Sequence, residues 1–352
     1  MNSEKGMWLT ASLLLTALIA AIIVIGIKEA AGSTPGANEP ASTSGTTTDK
    51  TSSGTASAPS DAAQATQTVQ EPKIDLNQIP EGPYGDAVKE GLKLMNETNT
   101  LLPEYVGNKL SCSSCHGNGG LDGTSPYVGV AAAFPQYISR SGKVLTLEDR
   151  INGCMLRSMN GKAIPYNSDE MRAMVSYLTY ISEGVPVGTK DRPWIQKNRV
   201  EAYKNMSQPP NLVEAEALYN QACAACHGQD GQGTGPTSGP ALWGPDSFNL
   251  GAGMARIGTA AGYIKRNMPL GQMGGIKQGE LTDEQATMLA AYILSHDRPD
   301  FPGKVNDWPN GDAPDDAAYL TKIDLEKGLT LDNVPWYKAY AERAVEAAKK
   351  AK

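Results

Sequence analysis

Five cysteines and three histidines are the side chains here that could do redox or metal chemistry, and their spacing sorts them. Cys112-Ser-Ser-Cys115-His116 and Cys223-Ala-Ala-Cys226-His227 are two copies of the Cys-x-x-Cys-His signature for covalent c-type haem. Two thiols three residues apart reach the two vinyl groups of one porphyrin. The following His comes up beneath the iron as proximal ligand. Two copies, each followed by Gly, predict two covalently bound haem c groups. One cysteine, Cys154, is left over, and one histidine, His296, has no partner motif and is given no role.

Those motifs need helices to hold them. Asp86–Met95 reads as a short amphipathic helix ahead of the first motif. A Gly-rich loop follows, then the Cys154 stretch, then a helix over Ser168–Leu178 capped by Ser168. The same order recurs: Val213–Tyr219, the second motif, a Gly-rich loop, Asn267-Met268-Pro269, and a helix opened by the Thr-x-x-Gln box at Thr282. Helix, haem motif, loop, sixth ligand and closing helix are the plan of a monohaem cytochrome c domain. The expectation is a mainly α fold with two tandem cytochrome c-like domains, 84–183 and 211–300, joined by a connector over 184–210. An extension over 301–352 follows.

The repeat locates the sixth ligands. Met268 lies 41 residues after His227 and 14 before the cap Thr282, and its thioether suits haem iron. Met254 and Met288 fit a plain core reading better. Fourteen residues before the matching cap Ser168 stands Cys154, so the first domain has a thiol where the second has its methionine. Cys154 could instead be a small buried hydrophobe, with Met159 as the competing ligand. An unpaired thiol outside the cytoplasm oxidises unless it is tied up, which favours ligation. Thiolate stabilises ferric iron and His/Met ligation raises the potential, so electrons should run from haem 1 to haem 2. A cysteine is also a sulfur nucleophile, which a plain carrier does not need. Around it in sequence stand Arg140, Arg150 and Arg157, with fixed paired donors for oxyanions. Ion pairs or haem carboxylates are their plainer use. Ser158 could donate to an oxyanion or shape a turn.

Composition narrows the rest. The 352 residues carry a net charge of −7 with 20% charged side chains, so no basic stripe supports nucleic-acid binding. With aromatics at 6%, haems must supply part of the apolar volume. Met7–Ile27 is an uncharged run of 21 residues. At about 1.5 Å per residue it spans a ~30 Å hydrocarbon core, and it exceeds a signal-peptide h-region. Residues 1–29 therefore read as a membrane anchor, with a cleaved signal peptide as the alternative. Residues 30–75 are rich in Ser, Thr and Ala and read as a disordered tether. Haem c is attached outside the cytoplasm, so the expectation is a single-pass protein of the cell membrane with its domains on the extracytoplasmic side.

Phe134-Pro-Gln-Tyr137, Ser139-Arg140-Ser-Gly142 and Arg150-Ile-Asn-Gly-Cys154 through Arg157-Ser158-Met-Asn-Gly161 together resemble the dihaem thiosulfate dehydrogenases. The likeness runs from about Tyr84 to Trp308, including Arg298-Pro and Asp307-Trp-Pro-Asn-Gly. It implies coupling of two thiosulfates into tetrathionate, with electrons passed to a cytochrome or other redox acceptor. It implies that Cys154 both ligates haem 1 and is the catalytic sulfur, while Arg140, Arg150 and Ser158 line its anion pocket. His116 and His227 are then the proximal ligands and Met268 the sixth ligand of haem 2. Some members carry Lys just before that Met. Asn267 stands there in this chain, so steady His/Met ligation is the expectation. The same site run backwards would reduce tetrathionate. A sulfur-transferring cytochrome of the Sox type is a neighbouring possibility, disfavoured by the second complete haem domain. A dihaem electron carrier without catalysis is the alternative from another class.

Overall fold

The computed structural model describes residues 69–351, which belong to one compact unit. The expected anchor and most of the tether lie outside the described residues. Among the described residues, no helix is long and apolar enough to cross a membrane.

The first domain is built on α1 (Pro83–Asn96), α2 (Leu147–Arg157) and α3 (Asp169–Tyr180). Helix α1 is longer than the sequence pattern marks, because Pro83 at its first turn can start it before the apolar periodicity begins. It crosses α3 closely at Gly91, where a Cβ would lie 2.1 Å from the Ala173 carbonyl oxygen. Val88, Met171, Met174 and Tyr177 are buried along this crossing. Side chains of this size contribute about 1.5–3 kcal/mol each when withdrawn from water. Ser168 caps α3 by accepting from the Met171 N–H, as its position predicts. A short antiparallel hairpin, β1 (Gln136–Ile138) with β2 (Lys143–Leu145), delivers the chain to α2.

The second domain repeats the plan with α4 (Leu212–Ala222), α5 (Ile257–Asn267) and α6 (Asp283–Leu294). Helix α6 opens with the reciprocal Thr282–Gln285 capping box. Its apolar residues Ala286, Leu289, Ala290 and Leu294 are buried, as is Tyr219 of α4. A two-residue hairpin, β3 (Gln272–Met273) with β4 (Ile276–Lys277), fills the loop between α5 and α6. The extension ends in α7 (Tyr340–Ala351), which buries Ala341 and Val345.

The domains are tied by polar contacts that each satisfy a backbone group. The Asn108 side-chain amide donates to the carbonyls of Ser158 (2.8 Å) and Ser247 (3.0 Å). Asn249 donates to Leu156 O at 2.9 Å. Ser114 donates to Pro236 O at 2.5 Å, and the Tyr263 hydroxyl donates to Cys115 O at 3.2 Å. The extension adds the bidentate pair Arg157–Asp307 (2.7 and 2.8 Å) and the Trp336 indole bond to Met206 O (2.8 Å).

Candidate functional site

Helix α2 carries the central residues. Thr146 and Asp149 form a reciprocal capping box at its start, which fixes its first turn. Leu147, Ile151 and Met155, four residues apart, turn into the core. Arg150, Cys154 and Ser158 share the same spacing along an adjacent stripe. Two of them meet: the Arg150 guanidinium donates to the Cys154 sulfur at 2.8 Å. Beside that sulfur, Arg150 is held more firmly protonated than an ordinary arginine.

Cys154 and Arg150 line a cavity of about 280 Å³ together with Cys112 and His116. The His116 Nδ1–H donates to Ser125 O at 2.5 Å, which leaves Nε2 as the free ring nitrogen. Burial pulls this imidazole down to about 4, so it is neutral, the form that binds iron. Its ring stacks on Tyr127 at 4.0 Å between centroids. A second cavity of about 610 Å³ holds Cys223, Cys226 and His227. The His227 Nδ1–H donates to Pro240 O at 2.7 Å, so its Nε2 is free in the same way. No disulfide ties up the four motif cysteines. Cys112 lines the first cavity and Cys115 the second, beside Cys223 and Cys226; with the oriented imidazoles and adjoining cavities, these residues fit two haem c groups.

The sixth-ligand expectations land unequally. Met268 caps the end of α5 and lines the second cavity, but Met254 and Met273 line it too. Met159 is packed in the core and does not line the first cavity, whereas Cys154 does. The equal spacing of Cys154 and Met268 from their following caps does not put them at equal places. Cys154 sits inside its helix, while Met268 follows the last turn of α5. The loop after α2 is built differently: Asn152 pins it by exchanging hydrogen bonds with Ile164 N and O.

The arginines separate. Arg140 lies off the Cys154 cavity. It donates to Gly251 O at 2.9 Å and sits over the Trp308 ring at 4.9 Å. Burial lowers it to about 10. Arg157 shares the Gly251 carbonyl at 3.2 Å and is otherwise committed to Asp307 and the Phe301 face. Ser158 also lies off the cavity, and its carbonyl is taken by Asn108. His296 stacks on Trp243 at 4.0 Å and donates to Tyr292 O at 2.7 Å, a satisfied residue apart from the haem motifs.

Sequence reasoning missed the connector's part in the site. Ser125, Pro126 and Tyr127 form one wall of the first cavity, and Arg192, Ile195, Gln196, Lys197 and Asn198 line it as well. Asn198 is hydrogen-bonded to the Ser125 side chain, directly behind the His116 bond. The one local signal was Asp191-Arg-Pro-Trp194, a charged and aromatic run in an otherwise polar connector.

Residues 104–187 match the SoxA/TsdA cytochrome c domain family, and residues 212–297 match the cytochrome c family. A thiosulfate dehydrogenase of Psychrobacter arcticus is 41% identical over 263 residues, covering 73% of this chain and 77% of that protein. One of Allochromatium vinosum is 41% identical over 232 residues, covering 63% of this chain and 82% of that protein. The solved thiosulfate dehydrogenase (TsdBA) of Marichromatium purpuratum superposes with a TM-score of 0.58 at 35% identity. That match covers 66% of this chain and half (50%) of the solved one.

Proposed function

The chain belongs to the thiosulfate dehydrogenase family, and on that premise we propose that it couples two thiosulfates into tetrathionate at Cys154. The observation that carries the assignment of the site is the Arg150–Cys154 contact at 2.8 Å, inside a cavity that His116 also lines. The contact places a cationic donor on the sulfur that would attack and later leave. When bound, the two haems accept one electron each.

The chemistry balances on the protein's own sulfur. The Cys154 thiolate and one thiosulfate form Cys154–S–S–SO3(−) and release two electrons: RS(−) + S2O3(2−) → RS–S–SO3(−) + 2 e−. A second thiosulfate attacks the sulfur next to the sulfonate. It forms S4O6(2−) and returns the Cys154 thiolate. Arg150 has two tasks: it stabilises the thiolate before the first step and takes it back as leaving group in the second. Arg140 and Ser158 lie outside the cavity walls, so the proposed reaction assigns neither of them a step.

Two electrons leave through the second domain, where Met268 is the proposed sixth ligand, to a cytochrome or other redox acceptor. The acceptor end is supported by the second cavity's walls, which include Ser113, Ser114 and Cys115 of the first motif. The two haem seats thus adjoin. The decisive assay is steady-state turnover with thiosulfate and an artificial electron acceptor, with tetrathionate measured as product. A chain that loads two haems and passes electrons between artificial partners, yet makes no tetrathionate, is a carrier and not this enzyme.

The anchor reading rests on the uncharged run Met7–Ile27 and on the extracytoplasmic attachment of haem c. A membrane-spanning run of ~20 residues is not displaced by screening, so the full chain should stay in the membrane fraction through a salt wash. A chain beginning near Glu71 should be soluble, carry two haems and keep its activity. A mature N-terminus just beyond Ala31 would instead identify a cleaved signal.

A further inference from the structure

The Cys154 cavity has an imbalance of charge. Arg150, Arg192 and Lys197 line it, and no Asp or Glu does. Lys197 is mostly exposed and leans to Asp191 at 3.5 Å, so the inward cations are the two arginines. Arg192 is placed by structure: its Nη1 donates to Val128 O (3.1 Å) and Tyr127 O (3.4 Å). Val128 O also accepts from the Trp194 indole at 3.3 Å. Gly129 lets both side chains lie close, since a Cβ there would come within 2.8 Å of Trp194 and 3.2 Å of the Arg192 Cδ. Its φ of +80° also favours glycine. The Arg192 Nη2 and Nε have no protein acceptor among the described residues. Burial and the nearby Arg150 charge both act against the Arg192 cation. With Arg150 taken by the Cys154 sulfur, the Arg192 cation has no carboxylate on the cavity wall to offset its burial, and an anion beside it would do so.

We propose that Arg192 holds an oxyanion in the Cys154 cavity through Nη2 and Nε. Two coplanar oxygens match that fork, whether they belong to a thiosulfate sulfonate or to a porphyrin carboxylate. The sulfonate source rests on the proposed reaction and answers a need it creates. The adduct on Cys154 keeps one sulfonate while a second dianion arrives, and Arg150 is already occupied by the sulfur. Arg140, the other expected anion holder, points to Gly251 O instead.

The test uses the full-length dihaem protein with Arg192→Gln and Arg192→Lys. Gln removes the charge and can still donate to Val128 O; Lys keeps the charge and loses the fork. If the ligand is the sulfonate, Arg192→Gln raises KM for thiosulfate about 10-fold or more, the haem 1 potential stays, and Lys recovers part of the loss. If it is the porphyrin carboxylate, the Gln variant lowers the haem 1 midpoint potential and changes its pH dependence while KM stays. Haem 2's spectrum and potential, unchanged in both variants, show that the fold is intact. A wild-type KM together with a wild-type haem 1 potential in both variants overturns the proposal. Absence of turnover in the wild type would strike the proposed reaction alone, since the potential titration still reads Arg192.

Discussion

The two cavities agree in how each holds the histidine of its motif and differ in the sulfur they offer beside it. In both, the imidazole donates Nδ1–H to a backbone carbonyl thirteen or fewer residues on, Ser125 O for His116 and Pro240 O for His227. The first cavity, about 280 Å³, offers a thiol held by a guanidinium. The second offers thioethers in about 610 Å³. A thioether can only bind and tune; a thiol can also form a bond to substrate. On the proposed reaction, one scaffold would separate bond-making from electron export by exchanging the sulfur and what touches it.

The sharpest way to break that division is Cys154→Ala. Turnover should fall by more than about 10³-fold, because both the nucleophile and the ligand are gone. Haem 1 should lose its thiolate spectrum and rise in potential, while haem 2 stays as it was. Cys154→Met then restores a soft ligand without a displaceable sulfur, giving two seats of the same kind. Substantial tetrathionate formation by that variant would falsify the covalent route.

Next in size is Arg150→Ala, which leaves the thiol but removes the donor that makes the seats unlike. A loss of about 10²–10³-fold in kcat is expected, the scale for deleting one charge-stabilising donor. A variant with wild-type kcat would show that the 2.8 Å contact has no part in the reaction.

Met268→Gly attacks the export side. The haem 2 potential should drop and turnover slow several-fold, with thiosulfate KM nearly unchanged. An unaltered haem 2 spectrum would point to Met254 or Met273, which share the cavity. The smallest effect on turnover should come from Arg157→Ala, which leaves both seats alone and loosens their frame. The Asp307 side chain, 8% exposed, loses its bidentate partner. A stability loss of roughly 3 kcal/mol is expected from an orphaned buried carboxylate, read as a lower midpoint in denaturant. An unchanged midpoint would mean that Tyr319, which also donates to Asp307, suffices.

What the sequence disclosed was local. Ser168 and Thr282 announce their helices because an N-cap acts within three residues. The motif cysteines and histidines announce their cofactor for the same reason. Cys154 could be picked out by its distance from a cap, yet the placement of Arg140 beside Gly251 depends on a contact over a hundred residues away, and no spacing rule reaches that far. The extension was likewise opaque: Asp307 and Trp308 meet Arg157 and Arg140 only when the chain has come back across the first domain.

The wall shared by the two seats has a bearing on how the protein is assembled. Ser113, Ser114 and Cys115 face the second cavity and are locked there by Pro236 and Tyr263. The second seat is therefore complete only when the turn of the first motif is docked against it, which makes the pair one assembly and not two independent beads.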